Sequence, residues 1–360
     1  MIEHPNIKLN FRLAPPTEAP VFLHPKITPL KQRLVGPFIH NANGDLLAVH
    51  DNHIHHSLDQ GQTWQAYPIF NSDEFYIGDS RSLICLASGT LILSFANVGN
   101  MHFNWRRKTN SPTKTCSLSH YIVRSFDGGL TWQTPQKIQS DYAAATSTLI
   151  QLKTGEVVVS AQNMDYENAR HYALSLTSGD DGETWQSSNR LDMGGRGHHG
   201  GCYEGTLIEL SDGRLWYCIR TNRDWFWDAY SYDKGKSWIE TKVGLPASSS
   251  PAMLTRLHSG RIALVYNQLY PQGQTEYARR AGQFSEVAAS WMREELSICL
   301  SEDEGRSWTK PIVIAQCKGA WLAYPMIYEV EPGKLWVTTL QSELKVVLKE
   351  SDFVQKNKLT

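Results

Sequence analysis

SLDQGQTW (Ser57–Trp64), SFDGGLTW (Ser125–Trp132), SGDDGETW (Ser178–Trp185), SYDKGKSW (Ser231–Trp238) and SEDEGRSW (Ser301–Trp308) are five copies of one pattern, Ser-x-Asp-x-Gly-x-Ser/Thr-Trp. Their tryptophans fall 68, 53, 53 and 70 residues apart, a recurrence that chance does not produce. Each copy reads as a hairpin turn. The Asp accepts bonds from backbone N–H groups across it, Gly supplies a conformation that other residues resist, and Trp packs the turn down.

Between these turns lies a second repeat, an apolar run, a Gly-containing turn and another β-rich run. It is seen in SLICLASGTLILSF from Ser82, STLIQLKTGEVVVS from Ser147, GTLIELSDGRLWYCIR from Gly205 and AMLTRLHSGRIALVY from Ala252. PFIHNANGDLLAV from Pro37 and PMIYEVEPGKLWVTT from Pro325 supply a first and a last copy. Six units of this length predict an all-β chain, a six-bladed β-propeller forming one domain over residues 1–360. The sixth unit lacks its own Ser-x-Asp turn, as expected if the amino-terminal segment lends a strand to close the ring. ARRAGQFSEVAASWMREE, residues 278–295, reads as a short helix inserted in the fifth blade.

Lys+Arg (35) nearly balances Asp+Glu (36), so no net field favours nucleic acid or an anionic membrane. The amino terminus carries no secretory apolar run, and no stretch approaches the length of a membrane span. The scattered Cys85, Cys116, Cys202, Cys218, Cys299 and Cys317 contain no CxxC pair. Reduced thiols in a cytoplasmic protein, with no metal site, are therefore expected.

The repeated turns resemble the Asp boxes of the sialidase (neuraminidase) superfamily, and the resemblance covers nearly the whole chain. Such turns sit on a propeller rim, so the activity has to be read from the mouth of the ring. Aligned on their Thr-Leu-Ile-like cores, YEGTLIEL and AYPMIYEV put Glu204 and Tyr324 at the same offset. The resemblance implies a nucleophilic Tyr324 assisted by Glu204, the tyrosine variant of glycosidase chemistry. A free phenol has a pKa near 10, and a neighbouring carboxylate can take its proton as attack develops.

Arg220, 16 residues after Glu204, and Arg293, 15 before Trp308, are similar to the second and third of the family's three carboxylate-binding arginines. The planar guanidinium fork suits a carboxylate. QRLVGPFI makes Arg33 the nearest counterpart of the first arginine, with Arg81 a substitute from the second blade. GDSRSL resembles the family's Asp-Pro segment through Asp79, with Ser80 in place of Pro. The first-blade loop LLAVHDNHIHHSLDQG is short; its Asp51 is the leading acid/base candidate, followed by Asp79, His53 and His55.

GRGHHGGCYEG puts His198 and His199 just before Glu204, as a substrate contact, a proton carrier, a metal-binding pair without an evident third ligand, or a plain loop feature, the last favoured over a metal. Trp225-Phe226-Trp227 reads either as blade packing or as a sugar-stacking wall. The function implied is exo-hydrolysis of a terminal acidic sugar, sialic acid or a related keto-acid or uronic sugar, with retention and without a cofactor. A polysaccharide lyase acting on a uronate and a non-catalytic carbohydrate- or protein-binding propeller are the alternatives. Oligomeric state is left open.

Overall fold

The computed structural model describes residues 1–11, 13–144, 148–281 and 284–354. Six sheets, each with four strands at its centre, follow one another along the chain. Blade one runs Phe38–His40, Leu46–His50, His53–Ser57, Gln65–Pro68, and blade two Ile77–Cys85, Leu91–Asn97, His120–Ser125, Gln136–Gln139. Blade three is Leu149–Gln151, Val157–Asp165, Arg170–Ser178, Gln186–Ser187, and blade four Cys202–Glu209, Leu215–Thr221, Trp225–Ser231, Glu240–Pro246. Blade five is Met253–Arg256, Ile262–Tyr266, Glu295–Ser301, Ile312–Gln316. Blade six is Pro325–Glu331, Lys334–Thr339, Lys345–Lys349, with Thr28–Pro29 of the amino-terminal segment on its outer edge. That edge strand pairs Thr28 with Val347 and Pro29 with Val346. Phe22–Leu23 extends blade five in the same way, alongside Ile312–Gln316.

The first strands of all six sheets converge on one axial cavity of about 390 Å³, bordered by Phe38, Leu83, Ile150, Leu207, Leu254 and Ile327. The fold is therefore a six-bladed propeller. Second strands are apolar on both faces, as in LILSFAN and LWYCIRT, because each blade is covered by a neighbour on either side. Leu47, Val49 and Ile54 of blade one, for example, pack with Leu83, Leu93 and Phe95 of blade two.

The five Ser-x-Asp turns share one hydrogen-bond circuit. The Ser hydroxyl donates to Asp Oδ1, as in Ser57 to Asp59 at 2.7 Å and Ser301 to Asp303 at 2.9 Å. The Gly N–H donates back to the Ser Oγ, and the final Thr or Ser donates to the Asp through both backbone and hydroxyl. These donors, led by Thr63, hold Asp59 down to about 2. The Gly lies at φ +78° to +102° in all five turns, a region that a Cβ disfavours.

The helix expected over residues 278–295 does not form among the described residues. Arg279–Arg280 instead pairs with Ala289–Ser290 as a small antiparallel ribbon. Residues Ala289 to Arg293 are all buried in succession, which a helix with one apolar stripe would not require. All six cysteines are free, five of them buried. Among the described residues, no helix is long and apolar enough to cross a membrane.

Asp228 is a buried carboxyl on the third strand of blade four. Its Oδ1 has no hydrogen-bond partner among the described residues. Burial pushes its carboxyl up to about 6, outweighing Trp216, Lys242 and Cys218. The folded chain thus keeps this proton up to about pH 6, whereas an unfolded Asp releases it near pH 4. Stability from this group falls as pH rises through that window and stays low above it, by roughly 3 kcal/mol at most. Asp228→Asn is expected to raise Tm by several degrees at pH 7 and by almost nothing at pH 4, as read by thermal melts across pH. An equal effect at both values would contradict a charge burden at this position.

Candidate active site

Blades four and six each present one side chain from an unusual backbone position at the mouth of the ring. Glu204 lies at φ +51° and Tyr324 at φ +57°, a conformation that costs a non-glycine residue and is held by its surroundings. For Glu204 the cause is a bulge, since the pairing with Leu215–Thr221 shifts register between Tyr203 and Thr206. Gly205 makes the bulge possible: a Cβ there would sit 2.3 Å from the Tyr217 ring and 2.9 Å from Cys218 O. Tyr324 is held from the side, its carbonyl accepting from Leu340 N at 3.1 Å.

The two side chains meet. Tyr324 donates its hydroxyl to Glu204 Oε1 at 2.8 Å, and Arg220 Nη1 donates to Glu204 Oε2. The same Nη1 lies 3.4 Å from the Tyr324 hydroxyl. Burial raises the Tyr324 phenol above its ordinary value, and the Glu204 charge adds to this while Arg220 and Arg293 work against it. The resting group is a neutral phenol already hydrogen-bonded to a base.

Arg220 and Arg293 form the layer behind this pair, 1% and 2% exposed. Ser249 joins them. Its Oγ accepts from Arg220 Nε at 3.3 Å and Nη2 at 3.2 Å, while its carbonyl accepts from Arg293 Nη2 at 2.7 Å. Trp291 lies between the guanidiniums, 5.6 Å from Arg220 and 4.7 Å from Arg293. Burial alone would lower Arg220, but Glu204, Tyr203 and Tyr324 outweigh it and hold it high. Arg293 is lowered to about 10 by burial and by the nearby Arg220 charge. Both remain cations at neutral pH, so two positive charges back one carboxylate.

A cavity of about 300 Å³ opens before them, walled by Glu204, Tyr324, Asp79, Arg81 and Gln341 with Leu13, Val98, Leu118 and Met326 among the apolar neighbours. Arg81 takes the place on this wall that the sequence offered to either Arg33 or Arg81. Its guanidinium donates to Gly78 O at 3.1 Å and Gly36 O at 2.8 Å, and its Nη1 lies 3.7 Å from Asp79 Oδ1. Arg33 does not join them: it is exposed, with Nη2 3.5 Å from His55 Nδ1.

Asp51, at φ +47° in the turn between two blade-one strands, borders a smaller crevice with His50 and Glu343. That crevice shares Leu13, Asp79, Arg81 and Leu340 with the main cavity, so it adjoins that cavity with Asp79 on both and Asp51 on the crevice side.

The histidines lie elsewhere. His55 is buried in blade one and lowered to about 4, first by burial and then by Arg33. His53 is exposed at the start of its strand. His199 is buried 5.2 Å from Trp291 and 5.5 Å from Tyr203, ring to ring, with its Nδ1 3.3 Å from His198 Nδ1. Burial and His171 lower His198 to about 3, so it is neutral near pH 7 and is no proton donor there. Trp225-Phe226-Trp227 is a blade-four strand with Phe226 in the core, which is the packing reading. Ser249 and Gln341 were not singled out from the sequence, because neither belongs to a repeat or to a motif of reactive residues. Among the described residues, no cluster of His, Cys, Asp and Glu is placed to hold a metal.

A model of the BNR repeat-like domain family matches residues 50–337. A sialidase of Clostridium perfringens is 29% identical over 204 residues, 51% of this chain and 50% of its own length. The chain spans about half the length of the curated sialidases it matches. Among solved structures, the Hadza microbial sialidase Hz136 superposes with a TM-score of 0.64 at 18% identity, over 89% of this chain and 66% of that one. An alpha-L-arabinanase of Penicillium chrysogenum, solved with arabinobiose, superposes at 0.55 and 16% identity, over 98% of this chain and 100% of that one. At these identities the superpositions describe the fold alone, which serves more than one sugar.

Proposed function

The chain belongs to the BNR repeat-like family, and on that footing we propose that it is a retaining exo-glycosidase acting on a terminal acidic sugar, sialic acid or a related keto-acid or uronic sugar. The observation that carries this reading is the Tyr324 hydroxyl on Glu204 Oε1 at 2.8 Å, with Arg220 on the opposite carboxylate oxygen.

Tyr324 is the nucleophile. Its oxygen attacks the anomeric carbon while its proton passes to Glu204 Oε1, the oxygen it already faces. Arg220 stays on Oε2 and keeps the carboxylate aimed. Asp51 protonates the departing glycosidic oxygen as that bond breaks, with Asp79 also on the crevice wall. In the second half, Asp51 takes a proton from water, the water oxygen replaces tyrosine on the anomeric carbon, and Glu204 returns its proton to Tyr324. Two displacements on one carbon retain its configuration. Arg81 on the wall, with the Arg220 and Arg293 charges behind, favours a substrate that brings a carboxylate. No step needs a cofactor.

The lyase alternative needs a base, Tyr or His, to remove the proton alpha to a carboxylate; burial keeps Tyr324 protonated and, lowering His198 to about 3, leaves that imidazole a weak base. Incubation with a fluorogenic aryl glycoside of sialic acid or of a uronic sugar tests the reading. Release of the aryl alcohol without the absorbance of a new double bond is expected. Appearance of that absorbance would select the lyase, and no turnover of any acidic glycoside would sink the hydrolase reading.

A further inference from the structure

Gln341 lies directly beside the reactive tyrosine. Leu340 N donates to Tyr324 O at 3.1 Å and Gln341 N to Ala323 O at 3.2 Å, while Gln341 O accepts from Thr339 Oγ1 at 2.7 Å. The backbone is thus tied on both sides, and the side chain reaches the cavity wall with Glu204 and Tyr324.

Its amide can point only one way. Arg293 Nη1 donates to Gln341 Oε1 at 2.8 Å. A guanidinium has donors and no acceptor, so the amide must turn its oxygen to Arg293 and its nitrogen away. Among the described residues, Nε2 meets no acceptor. The charged residues lining the same cavity are Glu204, Asp79 and Arg81, the last with two of its N–H groups on the Gly78 and Gly36 carbonyls. An amide donor fixed by a buried cation, on the same wall as the Arg81 guanidinium, is suited to an acceptor oxygen of the ligand.

We propose that Gln341 contacts the substrate and sets its specificity, donating from Nε2 to a carboxylate oxygen of the acidic sugar bound against Tyr324. The inference rests on the acidic-sugar reading above and names the group that meets the carboxylate. A neutral donor standing between Arg293 and the ligand passes that cation's pull onward without exposing it.

Gln341→Glu separates contact from support. The glutamate still offers Arg293 an acceptor, so the scaffold is kept, but it replaces the Nε2 donors with a second carboxylate oxygen. On an aryl sialoside, KM is expected to rise on the order of 10- to 100-fold with kcat changed only a few-fold, because an unmet donor is lost and like charge added. Gln341→Ala should raise KM less. Calorimetric titration with free sialic acid should show the same loss of affinity without requiring turnover. If Gln341→Glu behaves as wild type in KM and in binding while Gln341→Ala is impaired, Gln341 only supports Arg293 and the proposal is overturned. A wild type that binds sialic acid but does not hydrolyse the sialoside removes the hydrolase reading alone. A wild type that binds no acidic sugar overturns both.

Discussion

Tyr324→Phe is expected to lower kcat on an aryl sialoside on the order of 10³-fold or more, with KM nearly unchanged and Tm within a few degrees of wild type. The substitution removes one oxygen and leaves the ring in place. That ring stays 5.9 Å from the Arg293 guanidinium, and the backbone bond from Leu340 to the Tyr324 carbonyl is untouched. What disappears is the atom that would bond to the sugar, an interaction made only in the reaction itself, which is why the loss should fall on kcat. The aryl leaving group needs little protonation, so a weak contribution from Asp51 would not mask the effect. A variant retaining a tenth or more of wild-type kcat would mean that Tyr324 is not the nucleophile.

Glu204→Gln should produce two separable losses. In catalysis, the amide cannot take the phenol proton, and kcat should fall on the order of 10²- to 10⁴-fold. The dependence on a base is strong because burial and the Glu204 charge hold the phenol above its ordinary value. In stability, Arg220 and Arg293 lose the carboxylate that offsets them, and both are at least 98% buried. Breaking a buried ion pair costs roughly 3–5 kcal/mol, somewhat less here because glutamine keeps a hydrogen bond to Arg220. Kinetics and a thermal melt on the same preparation read both. A variant with lowered Tm but full kcat would reduce Glu204 to a structural counter-ion.

The propeller was legible because it is periodic. Five copies of Ser-x-Asp-x-Gly-x-Ser/Thr-Trp mark one turn in each of the first five blades, and that turn is closed by its own residues, so the local sequence is sufficient to specify it. Glu204 and Tyr324 were legible for the same reason, since equivalent offsets in two repeats become equivalent positions on two blades. The residues that depend on packing between blades were not. Arg81, rather than Arg33, stands on the wall because its guanidinium is drawn across to the Gly36 carbonyl of blade one, a contact spanning 45 positions. Ser249 sits in a plain Ser-Ser-Ser-Pro run and matters only because Arg220 and Arg293 converge on it. In place of the helix expected over 278–295, Trp291, Met292 and Arg293 are buried in succession, and local helix preference is too weak to resist such packing.

A double displacement through Tyr324 retains the anomeric configuration, so the first sugar released carries its signature. Proton NMR of the wild-type protein with an aryl α-sialoside, recorded within the first turnovers and before the free sugar equilibrates, distinguishes the anomers. Release of the α-anomer first is expected, with the β-anomer growing in afterwards by mutarotation. Initial release of the β-anomer would mean single displacement by water and would contradict a glycosyl-tyrosine intermediate.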